Sequence, residues 1–133
     1  DVVNAGRKMA DAADDLNDAR KATDATLDAI KRKAKELPTG NNSVYVSYHA
    51  DGRLEYVGIT NDFNRRKKEW EGIRNIEEFV PGLDRRNARF VEQAVIDKFG
   101  MSKLGGPLSN RINSIGVRNK TVYAEYLDFI RDI

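Results

Sequence analysis

Glu92 is the first residue of this chain whose type and position could do chemistry. Projected at about 100° per residue, residues 84–99 place Ala88, Phe90, Val91, Ala94, Val95 and Phe99 on one continuous arc. Ile96 extends that arc, and Glu92 falls inside it, between Phe99 and Ile96. A carboxylate set there is partly desolvated and needs a partner: an arginine, backbone amides or a metal ion. A salt bridge at the edge of the core, metal ligation and proton transfer all remain open. Basic residues gather on the neighbouring elements. Arg65-Arg66-Lys67-Lys68 occupies the first turns of one expected helix, and Arg85, Arg86 and Arg89 share the helix of Glu92. Successive helical residues point in different directions, so one or two of residues 65–68 can reach a common ligand while the others stay solvated. Positive charge on the elements that carry the misplaced carboxylate argues for an anionic substrate, phosphate above all. His49, the only histidine, lies at the lip of a turn, where an ordinary surface role competes with that of a general base. The chain has no Ser-His-Asp or Cys-His arrangement, Walker loop, zinc-ligand spacing or GxGxxG motif.

Other classes are bounded by composition. The chain has 133 residues, enough for one domain, alone or with an appended element. It has no cysteine, which removes disulfides and thiolate metal sites and leaves oxygen and nitrogen ligands. Charged residues make up 33%, with 23 basic against 21 acidic and a net charge of +2, so any affinity for nucleic acid must come from how the charges are distributed. No apolar stretch approaches the roughly 20 residues of a membrane span, and no signal-peptide pattern opens the chain. A soluble chain is expected, and its first residue, Asp1 rather than Met, suggests a fragment of a longer polypeptide.

The elements that must position these side chains can be read in outline. Residues 1–40 are expected to form a long N-terminal helical extension or linker, and 41–133 the principal domain. Met9, Leu16, Thr23, Ile30 and Leu37, with Ala13, Arg20, Leu27 and Ala34 between them, trace a narrow, mostly apolar seam. The sequence Pro38-Thr39-Gly40 ends it. Eight acidic and eight basic residues cancel over 1–37, so this helix is expected to pack on the domain or on a partner rather than to grip nucleic acid. Val44, Val46 and Tyr48 alternate with Ser43, Tyr45 and Ser47, as in a half-exposed strand. Residues 50–53 make a turn, and Leu54, Tyr56, Val57 and Ile59 a return strand. Thr60-Asn61-Asp62 are capping types for a helix reaching Trp70. Residues 76–80 (IEEFV) form a candidate third strand, stopped by Pro81-Gly82. A helix from about Asp84 to Phe99 is capped by Gly100, a short helix is expected over 111–115 and a further one over 121–133. The fold class is α+β: a small three-stranded antiparallel sheet flanked by helices.

Val44-Tyr45-Val46, Tyr56-Val57-Gly58 and Arg66 together resemble the GIY-YIG nuclease signature. Tyr56 follows Tyr45 by 11 residues and Arg66 follows Tyr56 by 10, close to the family's spacing. The family's helical glutamate after the third strand matches Glu92, and its asparagine near a further short helix matches Asn110. The resemblance covers about residues 43–115. The stretches ARFVEQAVIDKFG and LSNRINSIG look like GIY-YIG nucleases that form C-terminal toxin modules of bacterial contact-dependent inhibition and Rhs-type proteins. Three positions depart from the pattern. The first tripeptide is VYV, Ile59 stands where some members carry lysine, and Trp70 stands where many carry His or Tyr. An auxiliary proton-transfer group would then come from elsewhere, with Tyr48, His49 and Lys67 as candidates.

The resemblance implies metal-dependent hydrolysis of phosphodiesters, DNA more than RNA, by a delivered toxin acting in the target-cell cytoplasm and held by a cognate immunity protein. Glu92 would hold one Mg²⁺ or Mn²⁺. Arg66 would hold the scissile phosphate with its planar donor fork. Tyr45 or Tyr56 would contact the attacking water, with its pKa lowered by nearby cations. Gly58 would admit close approach of substrate, Arg65 and Arg89 would bind it, and Asn110 would orient a site group or a phosphate. A non-catalytic binding module on the same scaffold is the alternative.

Overall fold

The computed structural model describes residue 18 and residues 20–133. A helix over residues 20–34 (α1) leads into strand β1 (Thr39–Tyr48), strand β2 (Leu54–Thr60), helix α2 (Phe63–Glu69), strand β3 (Ile76–Leu83) and helix α3 (Arg85–Phe99). A 3-10 turn (Ser102–Leu104) and helix α4 (Lys120–Ile130) complete the order. This is an α+β fold in which the antiparallel sheet has the order β2-β1-β3. Among the described residues no helix is long and apolar enough to cross a membrane.

Strand order changes the reading of β1. A strand half-exposed on one face was expected, but β1 is central, and Ser43 through Ser47 are all buried. Val44 and Val46 face the main core, while Tyr45 and Ser47 sit on the opposite face with their cross-strand partners Gly58 and Tyr56. The alternation is real, yet both faces are covered, which a two-residue period alone cannot report.

α1 belongs to that core. Thr23, Leu27, Ile30 and Ala34 are buried, and the last three join Val46, Phe79 and Val91 in one cluster. Fully burying Leu27 and Ile30 is worth roughly 1.5–3 kcal/mol each, a large share of the roughly 5–15 kcal/mol that stabilises a domain. Arg20 reinforces the docking, its guanidinium 3.5 Å from the centroid of the Tyr48 ring. The seam positions Met9, Ala13 and Leu16 lie outside the described residues.

Capping chemistry places the other helices. Asp62 accepts from the Arg65 amide to start α2, and Asp84 accepts from the Asn87 amide to start α3. Gly100 ends α3 at φ 89°. Several boundaries differ from expectation: β1 starts at Thr39 rather than Ser43, and α4 ends at Ile130 rather than Ile133. β3 continues through Pro81-Gly82 to Leu83, because an edge strand can place proline where no ladder donor is needed. The short helix over 111–115 does not form. The amides of Ser114 and Ile115, which such a helix would use, both donate to Gln93 Oε1, at 2.7 and 2.9 Å.

Candidate active site

β1 and β2 bring their tyrosines together on the face away from the main core. The Tyr45 and Tyr56 ring centroids lie 6.2 Å apart, tilted by 36°. Tyr45 is 1% exposed and Tyr56 half-buried. Gly58 is paired directly with Tyr45 across the ladder. A Cβ at Gly58 would lie 2.5 Å from both Cζ and the hydroxyl of Tyr45. The glycine is therefore needed to seat the tyrosine, and the expected close approach of substrate at this point is corrected: the Tyr45 ring already fills that space.

Of the four consecutive basic residues, α2 turns only Arg66 toward the sheet, where its Nη1 donates to the Tyr45 hydroxyl at 3.4 Å. Arg66 Nε is buried without a hydrogen-bond partner, the one such side-chain atom among the described residues. Glu69 Oε2 lies 3.4 Å from it, but out of line for a hydrogen bond. Arg65 points elsewhere: it bonds Asn61, pairs with Glu69 and is 56% exposed. Its expected role in binding substrate finds no support in this geometry.

Glu92 reaches the same space from α3. No salt bridge to it forms among the described residues, so the core-edge ion pair is not what holds it. Burial pushes its carboxyl above the ordinary range, and the Ser114 side chain and the charges of Arg85 and Arg89 oppose that shift without cancelling it. Gln93 sets this arrangement. It is 3% exposed, and besides the two loop amides it binds Asp97 and Asn113, so the 113–115 segment is pinned beside Glu92.

Asn110 closes the far wall. Its Oδ1 accepts from the Val57 amide at 3.1 Å, and its Nδ2 donates to the Val57 carbonyl at 2.8 Å. Ser109 adds a backbone bond to the Glu55 carbonyl. The segment thus covers the free edge of β2 between the two site residues Tyr56 and Gly58. Replacing Asn110 by alanine should orphan both Val57 groups, at about 1–3 kcal/mol for each. Urea melts check this, and a loss under about 1 kcal/mol would show that water replaces the amide.

Tyr45, Tyr56, Gly58, Arg66, Glu92 and Asn110 all line one cleft of about 400 Å³, together with Arg85, Arg89 and Ser114. Size does not pick it out. A cleft of about 850 Å³ beside α2, lined by Lys67, Lys68 and Arg74 among others, holds only the exposed Glu71 as a carboxylate. Arg74 was missed in the sequence. It is 18% exposed, lies 4.4 Å from the Tyr56 ring and 4.9 Å from the Trp70 ring, and pairs with Glu55 at 3.8 Å, which buttresses Tyr56 from behind. Gln93 and Ser114 were missed as well, and Arg85 was read only as part of a basic cluster. The i, i+4, i+7 spacing of Arg85, Arg89 and Glu92 puts all three on one side of α3.

The electrostatics correct one mechanistic expectation. The Tyr45 hydroxyl is pushed up to about 12 by burial and by Tyr56, and Arg66 does not offset this. At neutral pH Tyr45 therefore keeps its proton, and it serves as a hydrogen-bonding group rather than a phenolate base. The auxiliary candidates lie elsewhere. Tyr48 hydrogen-bonds Asp24 under Arg20, His49 Nε2 is 2.8 Å from the Pro107 carbonyl, and Lys67 lines the cleft beside α2.

Among the described residues no group of three or more His, Cys, Asp or Glu side chains could hold a metal ion. A cation here would rest on Glu92 as its protein carboxylate, which suits Mg²⁺ or Mn²⁺ with most positions left to water and phosphate. The desolvated, unpaired carboxylate fits that group. No protein-family model, curated protein or solved structure matches the chain. The likeness to the GIY-YIG signature thus stands on the residues of this chain.

Proposed function

We propose that the chain is a metal-dependent phosphodiester hydrolase acting on nucleic acid. One observation carries the proposal: residues from β1, β2, α2, α3 and the 109–115 segment, singled out in the sequence by their likeness to the GIY-YIG signature, converge on one cleft. Its donors are cationic, its one carboxylate lacks an ion pair, and its tyrosines are held in place. A divalent cation bound at Glu92 would stabilise negative charge on the leaving oxygen. Arg66 lines the cleft and offers the scissile phosphate its planar guanidinium. Tyr56, the more open of the two rings, contacts the attacking water, while Tyr45 fixes Arg66 through its hydroxyl. Asn110 acts as a positioning residue through Val57.

Incubating the purified chain with total nucleic acid, with Mg²⁺ or Mn²⁺ and with EDTA, tests the proposal. Cleavage that EDTA stops is the expected result, and Arg66→Lys should lower the rate on the order of 10²-fold by replacing the fork with a point charge. Tight binding without turnover under every metal condition would favour a non-catalytic module. The narrower proposal, a delivered toxin acting in the target-cell cytoplasm and neutralised by an immunity protein, is supported by the sequence resemblance alone. Co-purification with the product of an adjacent small acidic gene, with loss of activity in the complex, tests it.

A further inference from the structure

A second cleft, of about 410 Å³, adjoins the first and shares Arg85, Arg89 and Ser114 with it. Its floor is apolar, made by Phe90, Ile115 and Val122, and Phe90 and Ile115 are themselves at most 7% exposed. The floor is braced from below: Phe90 stacks on Phe129 and meets Tyr126 at a tilt of 56°, and Gln93 holds the Ile115 amide. Arg86 is occupied by Glu125. Arg85 and Arg89 differ. Both are exposed, and neither forms a salt bridge among the described residues. They stand one turn apart on α3, on the ridge between the clefts, so their charge is presented to both.

An apolar-floored cleft beside a row of free guanidinium groups fits a flat, weakly polar ring attached to a phosphate. We infer that this second cleft takes an unpaired nucleobase next to the scissile phosphate, with Arg85 and Arg89 holding the intervening backbone, so that the substrate is single-stranded or looped nucleic acid. A paired base presents only its edge and cannot enter a pocket of this size without leaving the stack. The inference rests on the phosphodiesterase reading for its direction along the strand, but the cleft makes its own prediction about binding.

Gly116 provides the probe. It lines the second cleft, a Cβ there meets nothing within 4 Å, and its φ is not in the left-handed region. Gly116→Trp should fill the cleft, and Gly116→Glu should repel an anion from it, both without backbone strain. Thermal melting at the wild-type temperature confirms that each variant folds. Fluorescence anisotropy in EDTA compares a labelled single strand of mixed sequence with the same strand in a duplex. The wild-type chain should prefer the single strand about tenfold, the equivalent of one stacked base. Gly116→Trp should abolish that preference, and Arg85→Ala with Arg89→Ala should weaken both ligands and flatten the salt dependence by about two phosphate contacts. Equal or tighter binding of duplex, or indifference to Gly116→Trp, overturns the inference. Single-strand preference with no cleavage in Mg²⁺ or Mn²⁺ keeps the cleft assignment and removes the nuclease reading. Efficient cleavage of duplex by both wild type and Gly116→Trp does the reverse.

Discussion

Replacing Glu92 with glutamine should abolish cleavage and, at neutral pH, make the protein more stable. The two effects have one cause. The carboxylate is held in a partly desolvated site without an ion pair, and its proton is bound more tightly than the ordinary value of 4.5 implies. A carboxyl whose folded pKa exceeds its unfolded value contributes stability fully below the unfolded value, and that stability is lost as pH rises through the folded value. Glutamine resembles the protonated form and never ionises. Its melting temperature should therefore match wild type near pH 4 and below, rise above it as pH increases, and keep a constant advantage once Glu92 is fully charged. Activity should fall roughly a thousandfold or more, the upper range for removal of a preorganised group acting on transition-state charge. Added Mg²⁺ should stabilise wild type at pH 7 and leave the variant unchanged, because ligation needs the ionised carboxylate. A variant that cleaves normally, or that melts lower at pH 7 than wild type, would remove Glu92 from the role assigned to it.

The second large effect is expected at Gly58. Alanine there would place its Cβ 2.5 Å from the Tyr45 ring carbon Cζ, and Tyr45 is 1% exposed, with Tyr56 and Arg66 against it. The ring must move, which breaks the contact to Arg66 that orients the phosphate fork. Overpacking of this kind costs about 1–3 kcal/mol, and loss of the Arg66 position should cut activity on the order of 10²-fold. The clash predicts its own remedy. Tyr45→Ala combined with Gly58→Ala should be less destabilised than the two single changes added together, a coupling of about 0.5–3 kcal/mol between residues in contact. Strict additivity would mean that Gly58 matters for some reason other than making room for Tyr45.

Much of the fold was written in short-range signals. Asp62 and Asp84 announced their helices because a cap bonds an amide three residues on. Glu92 stood out because the apolar arc around it is set by helical period alone. Tyr45, Tyr56 and Arg66 were picked out by their likeness to the GIY-YIG signature, and they do meet because a hairpin followed directly by a helix keeps near neighbours in sequence near in space. The failures share the opposite character. Asn110 meets Val57 across 53 residues of chain, and with its amide bonded there it is not available to cap the expected helix at 111–115. The burial of β1 on both faces depends on β3 pairing along its second edge. Arg74 behind Tyr56, Gln93 under Ser114 and the Tyr45 ring over Gly58 are likewise contacts between separate elements.

Residue types and spacing by themselves determined that this chain makes an α+β domain with two basic clusters and one misplaced carboxylate, since propensity, capping and period act within a few residues; Tyr45, Tyr56 and Arg66 were singled out by likeness to the GIY-YIG signature. The tertiary structure decided that these groups share a cleft, that Tyr45 keeps its proton, and that Arg85 and Arg89 open a second cleft beside the first. Burial and electric field are sums over every element packed around a side chain, and no local stretch of sequence contains them.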